Sequence, residues 1–358
     1  MMRPRIAHKV TEEPVCWLSG LSDEEPVAVS TRIRLARNLV GFPFPDAATL
    51  PDRQRIFGMV TRRVREDDEL QGGVSGEMND FDAAERDVLL ERRLITRELS
   101  RKGAGSGVLT GRGQNLSVMI NEEDHLRLQT IQPGLQLSSA WRCLTRLDDR
   151  ITAGLDIAFR DELGFLTACP TNVGTGMRAS VMVHVPALVL AERLDEVVRA
   201  AEALGLAARG LLGEGTEPSG GFLQISNQST LGETEATILA RLQKVVRRII
   251  WYETNTRLRL VHHDPTRLYD LVGRAYGQLR HARRLGSEEA VANLSALRLG
   301  AVLGMFRHLT RAVIDDLSVD VQPGHMQAAG RTGADPDEQE IVRATLVRKT
   351  LARYTSPT

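Results

Sequence analysis

Asn115-Leu116-Ser117-Val118-Met119-Ile120-Asn121-Glu122-Glu123-Asp124-His125-Leu126-Arg127 is the stretch from which the fold is read. Leu116, Val118 and Ile120 recur at the period of two that a half-buried strand requires. Asn115 to Ile120 is therefore expected to be a strand that carries Glu122 and Glu123 to its C-terminal end. The acidic trio 122–124 has a second reading, as the electrostatically favourable first turn of a helix over His125 to Ile131. Upstream, Ser30-Thr31-Arg32-Ile33-Arg34 places Arg32 and Arg34 two apart, which on a strand points both to one face.

Outward from these segments, strands and helices alternate. Helical periodicity covers 51–69, where Ile56, Met59, Val60 and Val64 fall three or four apart, and 83–100, with a Gly-rich loop between them. Helices are also expected over 138–153 and over 186–204, the latter opening on Pro186 and closing at Gly205. Phe165 to Cys169 and Ser180 to Val185 read as strands around a Pro-Thr-Asn-Val-Gly-Thr-Gly loop. Ala207 to Leu212 and Phe222 to Ile225 form another pair, enclosing the glycine-rich segment 213–221, which reads as a mobile lid. After a long helix from about Glu233 to Thr254 the pattern is helical throughout. Asp264-Pro265 caps one helix, Ser287-Glu288-Glu289 another, and a third spans Ala301 to Leu317. The expected class is α+β: a mostly antiparallel sheet flanked by helices, then a small all-helical domain. The division is a loose arm over 1–26, a catalytic domain over 27–256 and a helical domain over 257–358.

The chain has 358 residues, 42% of them hydrophobic, and a formal net charge of zero. That is enough for a large core plus a smaller one, and it gives no sign of a polybasic nucleic-acid surface. No stretch approaches the roughly 20 apolar residues of a membrane span, and no apolar run follows Arg3, Arg5 and Lys9. The expected location is cytoplasmic. Cys16, Cys143 and Cys169 lack metal-ligand spacing and fit a reducing compartment; no metal site is expected. Lys stands only at 9, 102, 244 and 349 among 46 basic residues, so a single Arg carries little information. Taken alone, Arg32, Arg34 and Arg37 read equally as a solvated edge.

Two further segments complete the pattern: Cys169-Pro170-Thr171-Asn172-Val173-Gly174-Thr175-Gly176-Met177-Arg178-Ala179-Ser180 and Arg209-Gly210-Leu211-Leu212-Gly213-Glu214. The Walker phosphate-loop pattern is missing, and Gly105-Ser106-Gly107 lacks dinucleotide-fold spacing. Together with the Ser30 and Asn121 segments, these two resemble, in order and internal spacing, the guanidino (phosphagen) kinases. Residues between Trp17 and about Trp251 are most similar to the bacterial protein arginine kinase branch. The resemblance implies the sheet type shared with glutamine synthetase and an ATP-dependent transfer of the outer phosphoryl group to a guanidinium nitrogen.

It assigns ATP to Ser30, Thr31, Arg32, Ile33 and Arg34, to Arg127, to Arg178, Ala179, Ser180, Val181 and Met182, and to Arg209, Gly210, Leu211, Leu212, Gly213 and Glu214. Mg2+ would arrive bound through phosphates and water. Arginine suits such charge because its fork donates bidentately and keeps its proton. The acceptor guanidinium is so basic that it arrives protonated and must lose a proton as it attacks, which calls for carboxylates. The resemblance gives that work to Glu123 and Glu214, with Glu122 a neighbour. Cys169, which by itself reads as core, acts in such a site as an electrostatic support whose thiolate orients the acceptor.

Two departures stand out. The branch usually carries a nucleotide-contacting His where Arg93 stands; Arg93 either replaces that contact with a charge or displaces it. The branch's C-terminal phosphoarginine-binding segment reads Arg-Asp-x-x-Arg-Ala, against Gln339-Glu340-Ile341-Val342-Arg343-Ala344 here. A neutral first residue and a longer acid weaken bidentate anion binding, leaving Arg343 to hold an allosteric ligand. Only 29 residues precede Ser30, so the helical domain with which small-molecule relatives select a free amino acid is not expected.

Three functions stay open at this level. The first is a kinase for arginine side chains in proteins, which the resemblance ties to stress response, protein quality control, an ATP-dependent protease or unfoldase, an activator protein and a homodimer. The second is a kinase for a small guanidino metabolite. The third is an inactive nucleotide-binding adaptor of a protease.

Overall fold

The computed structural model describes residues 10–354 apart from 12, 22–24, 211–218 and 334. Ten strands are described. They are β1 (Ala28–Arg37), β2 (Gly72–Glu77), β3 (Gly107–Gly111), β4 (Leu116–Ile120), β5 (Leu126–Pro133), β6 (Phe159–Arg160), β7 (Gly164–Phe165), β8 (Met177–His184), β9 (Leu206–Gly210) and β10 (Phe222–Asn227). Eight form one antiparallel sheet in the order β2-β3-β4-β5-β1-β8-β10-β9, while β6 and β7 make a separate hairpin. The expected α+β class, an antiparallel sheet with helices, is what forms.

The centre of the sheet is β1, paired with β5 on one side and β8 on the other. Its alternation separates two chemistries. Ile33 and Leu35 are fully buried, and with Leu128, Ala179, Val181 and Ile225 they pack on Leu144 and Leu147 of the helix Leu137–Thr152 and on Ile238, Leu242 and Val246 of the helix Glu235–His263. Each such side chain removed from water stabilises the fold by about 1.5–3 kcal/mol. The opposite face carries Arg32 and Arg34. Arg37, at the odd position, belongs to the structure: it pairs with Asp148 at 2.7 Å and stacks on Phe165 at 3.5 Å.

The hairpin Asn121–His125 settles the acidic trio. Asn121 adopts φ +53°, its amide donates to the His125 carbonyl at 2.9 Å, and Leu126 begins a strand rather than a helix.

Several helices end earlier than their periodicity suggests. The span 83–100 divides into Ala83–Glu91 and Arg97–Ser100, and 186–204 into Pro186–Leu190 and Leu194–Glu202. The expected helix over 301–317 is replaced by the end of Ser287–Val302, a turn, and Arg311–Asp320 capped by Thr310. All three breaks share one device, a left-handed residue just past the helix whose successor's N–H reaches back five residues. Leu94 reaches the Leu89 carbonyl, Arg193 reaches Leu188, and Met305 reaches Gly300, each at 2.9 Å. The left-handed residues are Arg93, Glu192 and Gly304. For the first two, a side chain stands where glycine is favoured, at a cost of about 1–2 kcal/mol each.

The expected strand over Phe165–Cys169 shortens to Gly164–Phe165, because the Ala168 amide donates to Asp124 instead of a ladder partner. Gly286, not Ser287, is the N-cap of its helix, whereas Asp264 does cap the helix Pro265–His281, accepting from Arg267 N–H at 3.3 Å. The long helix is longer than expected, running from Glu235 past Thr254 to His263. The N-terminal stretch is also not loose where it is described: Val10, Val15 and Trp17 are buried, the last two against Val29, Ile131 and Met182.

The C-terminal helices enclose a core of their own, including Leu279, Leu294, Leu297, Ile314, Leu317, Val347 and Leu351. Among the described residues no helix is long and apolar enough to cross a membrane. Ile33→Ala is expected to remove about 2–5 kcal/mol of stability, while Leu204→Ala, at an exposed site, stays within about 0.5 kcal/mol; urea unfolding of the two variants checks the difference.

Candidate active site

Register brings the basic residues together. Arg34 lies directly opposite Arg178, and Arg32 opposite Ser180. Ala36 stands opposite Arg127, and Gln224 of β10 opposite Arg209. Because opposed residues share a face, Arg32, Arg34, Arg127, Arg178 and Arg209 line one cleft of about 380 Å³ with Glu123, Cys169, Thr171 and Gly210.

Like charges opposed across strands are unfavourable, and the cluster shows that strain. Burial, then Arg178 and Arg127, push the Arg32 guanidinium down to about 10. Burial, followed by Arg32, Arg127 and Arg178, pushes Arg34 well below its ordinary value. The shifts express a positive potential that a bound anion would relieve. Among the described residues the Nε atoms of Arg32 and Arg34 are buried without a hydrogen-bond partner. Arg32 Nη2 donates to Gln224 Oε1 at 3.0 Å, which fixes its fork.

The acids sit at the cleft's other end. Arg127 Nη1 contacts both oxygens of Glu122, at 3.1 and 2.9 Å, and its Nη2 donates to Glu123 Oε2 at 2.9 Å. Glu122 is buried and also accepts from the Thr96 hydroxyl, so it acts as a holder of Arg127. Glu123 is 37% exposed and faces the cleft.

Asp124 connects this hairpin to the cysteine loop: its Oδ1 accepts from Asn38 Nδ2 and from the Ala168 amide, both at 2.7 Å. His125 locks the same turn. Its Nδ1 accepts from Leu39 N–H at 3.0 Å, so Nε2 carries the proton given to the Pro43 carbonyl at 2.8 Å, and burial lowers its pKa. Cys169 Sγ lies 3.1 Å from the Thr171 hydroxyl, a donor able to stabilise a thiolate.

A second cavity of about 490 Å³ shares Arg32, Arg34, Met182 and Gln224 with the first. Trp17, Leu18, Ile95, Phe222, Val291 and Val319 make it largely apolar. Arg93 projects into it with its guanidinium 4.2 Å over the Trp17 ring, lowered to about 9 by burial and then by Arg32.

Of the residues expected to bind nucleotide, Ile33, Ala179 and Val181 point into the core instead. Thr31 turns its hydroxyl to the Gly134 carbonyl at 2.7 Å, and Ser30 is buried. The side chains of Thr31, Ile33, Ala179 and Val181 lie on the face away from the cleft, because alternate residues of a strand face opposite ways, whereas Ser30 stands opposite Met182 on the arginine face. Ser180 and Met182 share the arginine face. Leu211, Leu212, Gly213 and Glu214 lie outside the described residues. Near the C-terminus, Arg343 is buried and gives Nε to the Val321 carbonyl and Nη1 to the Leu285 carbonyl, both at 2.9 Å. Glu340 pairs with Arg284 at 3.0 Å, and Gln339 donates to the Gly333 carbonyl at 3.1 Å. All three are thus engaged by the chain itself. Gln224 and Asn38 escaped sequence reading, and Asp124 and Thr171 stood inside the motifs without an assigned role, since nothing in a polar residue alone reveals its partner across strands or loops.

Residues 56–256 match the family of ATP:guanido phosphotransferases, C-terminal catalytic domain, and 265–358 match the Protein-arginine kinase McsB C-terminal domain. The protein-arginine kinase of Halothermothrix orenii is 42% identical over 338 residues, covering 94% of this chain and 96% of that one. The chain belongs to the protein-arginine kinase family. Other members are similarly related, at 41% identity for Moorella thermoacetica (94% and 97% covered) and 39% for Geobacillus stearothermophilus (95% and 94%). Among solved structures, a lombricine kinase shares the fold with a TM-score of 0.58 at 22% identity, covering 70% of this chain and 71% of that one. The duplicated taurocyamine kinase from Schistosoma mansoni gives 0.59 at 25%, covering 78% and 41%.

The strained cluster predicts anion-linked stability. Tripolyphosphate at a hundred times its dissociation constant should add about 2.7 kcal/mol. Arg34→Ala should abolish most of that gain while raising the midpoint of the anion-free protein; thermal melts with and without the anion check both signs.

Proposed function

We propose that the chain transfers the terminal phosphoryl group of ATP to arginine side chains of proteins. The observation that carries the reading is the convergence of five arginines, Glu123 and Cys169 on one cleft. Fixed guanidinium groups suit a dissociative transfer, whose charge spreads over the three equatorial phosphoryl oxygens. Arg34, Arg178 and Arg209 would hold the transferring phosphates, with Arg127 joining as it turns from Glu123, and Arg32 braced by Gln224. Buried guanidinium nitrogens with no partner fit a triphosphate. Mg2+ would come with the nucleotide, held by phosphate oxygens and water. The nucleoside would occupy the apolar cavity beside Arg93 and Trp17.

Glu123 would orient the incoming guanidinium and take the proton that a nitrogen loses as its electron pair attacks phosphorus. The N–P bond forms while the bond from phosphorus to the bridging oxygen breaks, and ADP leaves with that electron pair. Cys169, in contact with Thr171, would place negative charge beside the acceptor and so hold it in line. Glu214 is proposed as the second clamp on the acceptor.

A protein acceptor rather than a free metabolite is supported by similarity to protein-arginine kinases over 94% of the chain, including the C-terminal helices. We assign those helices, 257–358, to docking of protein substrates and to a homodimer in the cytoplasm, with a protease or unfoldase and an activator protein as partners. Marking of proteins for degradation under stress is the corresponding role.

Incubation with ATP and an unfolded protein such as casein should yield phosphoarginine by mass spectrometry at neutral or mildly basic pH, with free arginine nearly untouched. Preferential phosphorylation of free arginine or creatine would instead support a metabolite kinase. Glu123→Ala should lower kcat by about 10²–10⁴-fold with nucleotide affinity nearly intact; unchanged turnover would remove Glu123 from the role of base.

A further inference from the structure

Glu91, Arg92 and Arg93 are consecutive, yet each reaches a different part of the molecule. Glu91 ends the helix Ala83–Glu91 and grips the first turn of the helix Pro323–Ala328. Its Oε1 accepts from the Gly324 amide at 2.7 Å, and its Oε2 accepts from the His325 amide at 3.0 Å and meets His325 Nδ1 at 2.6 Å. Arg92 Nε donates to His325 Nε2 at 3.0 Å. With Nε2 accepting, the imidazole proton resides on Nδ1 and is given to Glu91, so both ring nitrogens are satisfied. Arg92 also donates Nη1 to the Glu13 carbonyl at 2.8 Å and to Gln114 Oε1 at 2.9 Å. The two helices meet so closely that a Cβ on Gly324 would stand 2.7 Å from Asp87 Cβ and 2.8 Å from the Val88 amide nitrogen.

Arg93 follows in the left-handed region at φ +61°. Its peptide is bracketed on both sides. The Trp17 indole donates to the Arg92 carbonyl at 3.3 Å, and Gln129 Nε2 donates to the Arg93 carbonyl at 2.7 Å. Gln129 is the cross-strand neighbour of Arg34. The apolar cavity that receives the Arg93 side chain is walled in part by Ser318, Val319 and Gln322, which lead directly into the clamped helix. Arg93 ends its helix by the same device as Glu192, but its peptide is in addition held from Trp17 and Gln129, next to the arginine cluster, and that added constraint motivates a functional reading.

We propose that Glu91 and His325 are positioning residues for the nucleotide. By locking the end of the helix Ala83–Glu91 to the C-terminal helix Pro323–Ala328, they hold the Arg93 guanidinium over the nucleoside cavity. Seating of the C-terminal helices therefore sets nucleotide affinity. The inference rests on the placement of the nucleoside made above.

The test uses the full chain, with ADP affinity by calorimetry, kcat at saturating ATP and the thermal midpoint read on each variant. Glu91→Gln and His325→Ala should each weaken ADP about five- to tenfold while kcat stays within about twofold. His325→Asn, whose amide nitrogen stands near Nδ1, should restore affinity to within about twofold; this pair carries the test if Glu91→Gln does not fold. Arg93→Gly should keep or raise the midpoint by relaxing the backbone, yet weaken ADP. In a double-mutant cycle, Glu91→Gln combined with Arg93→Ala should be no worse than Arg93→Ala alone.

Loss of thermal stability in Glu91→Gln and His325→Ala with ADP affinity unchanged would overturn the proposal, as would independent, multiplying effects in the cycle. Normal ADP affinity in Arg93→Ala with phosphoarginine still formed would sink this inference and spare the kinase reading. A wild-type chain that binds ADP but forms no phosphoarginine would do the reverse.

Discussion

Mutual repulsion among guanidinium groups on one face of the central strands is the constraint around which this molecule is organised. Arg34 faces Arg178 across the β1–β8 ladder, and Arg32 and Arg127 lie close enough to depress it further. A sheet carrying such charges at its centre needs compensation from elsewhere. The compensation is the other face of the same strands, where Ile33, Leu35, Ala179 and Val181 are sealed against two helices. Alternation along β1 therefore assigns stability to one side and potential energy for binding to the other. Natural sites commonly hold strain of this kind, and it is released when the intended ligand arrives.

Polar ties then fix what the sheet only brings near. Asp124 bonds both Asn38 and the amide before Cys169, so the acidic hairpin and the cysteine loop share one anchor. Glu122 holds Arg127, and Arg127 holds Glu123, so the two residues proposed above as phosphate ligand and base restrain one another. Positioning of this sort supplies much of the catalysis in phosphoryl transfer, where little covalent work falls to the protein.

Strands β1, β4, β8, β9 and β10 and the five cleft arginines were legible in the sequence because strand alternation and the spacing of the four motifs survive without tertiary information, whereas the edge strand β2 reads as a Gly-rich loop and β3 and β5 carry no strand signal strong enough to read. Helix ends were less so. At Arg93 and Glu192 a bulky residue occupies a left-handed turn where glycine would have signalled a stop, and apolar spacing continues across the break. Motif membership also does not fix side-chain direction: Ile33, Ala179 and Val181 belong to the recognised segments and their side chains face the core. Cross-strand partners such as Gln224, and the tie from Asp124 to Ala168, depend on register and loop path, which no local pattern encodes. Arg343 shows the same limit from the other side, since a residue read as an anion contact gives its Nε and Nη1 to the carbonyls of Val321 and Leu285.

A crystal structure of the chain with a non-hydrolysable ATP analogue tests the central claim most directly. Phosphate oxygens are expected within about 3 Å of the Arg34 and Arg178 guanidinium groups, with the purine beside Trp17 and Arg93, and Glu123 freed from Arg127 and turned toward the terminal phosphate. A triphosphate bound away from that sheet face, or one that leaves Arg34 and Arg178 without anionic contacts, would contradict it.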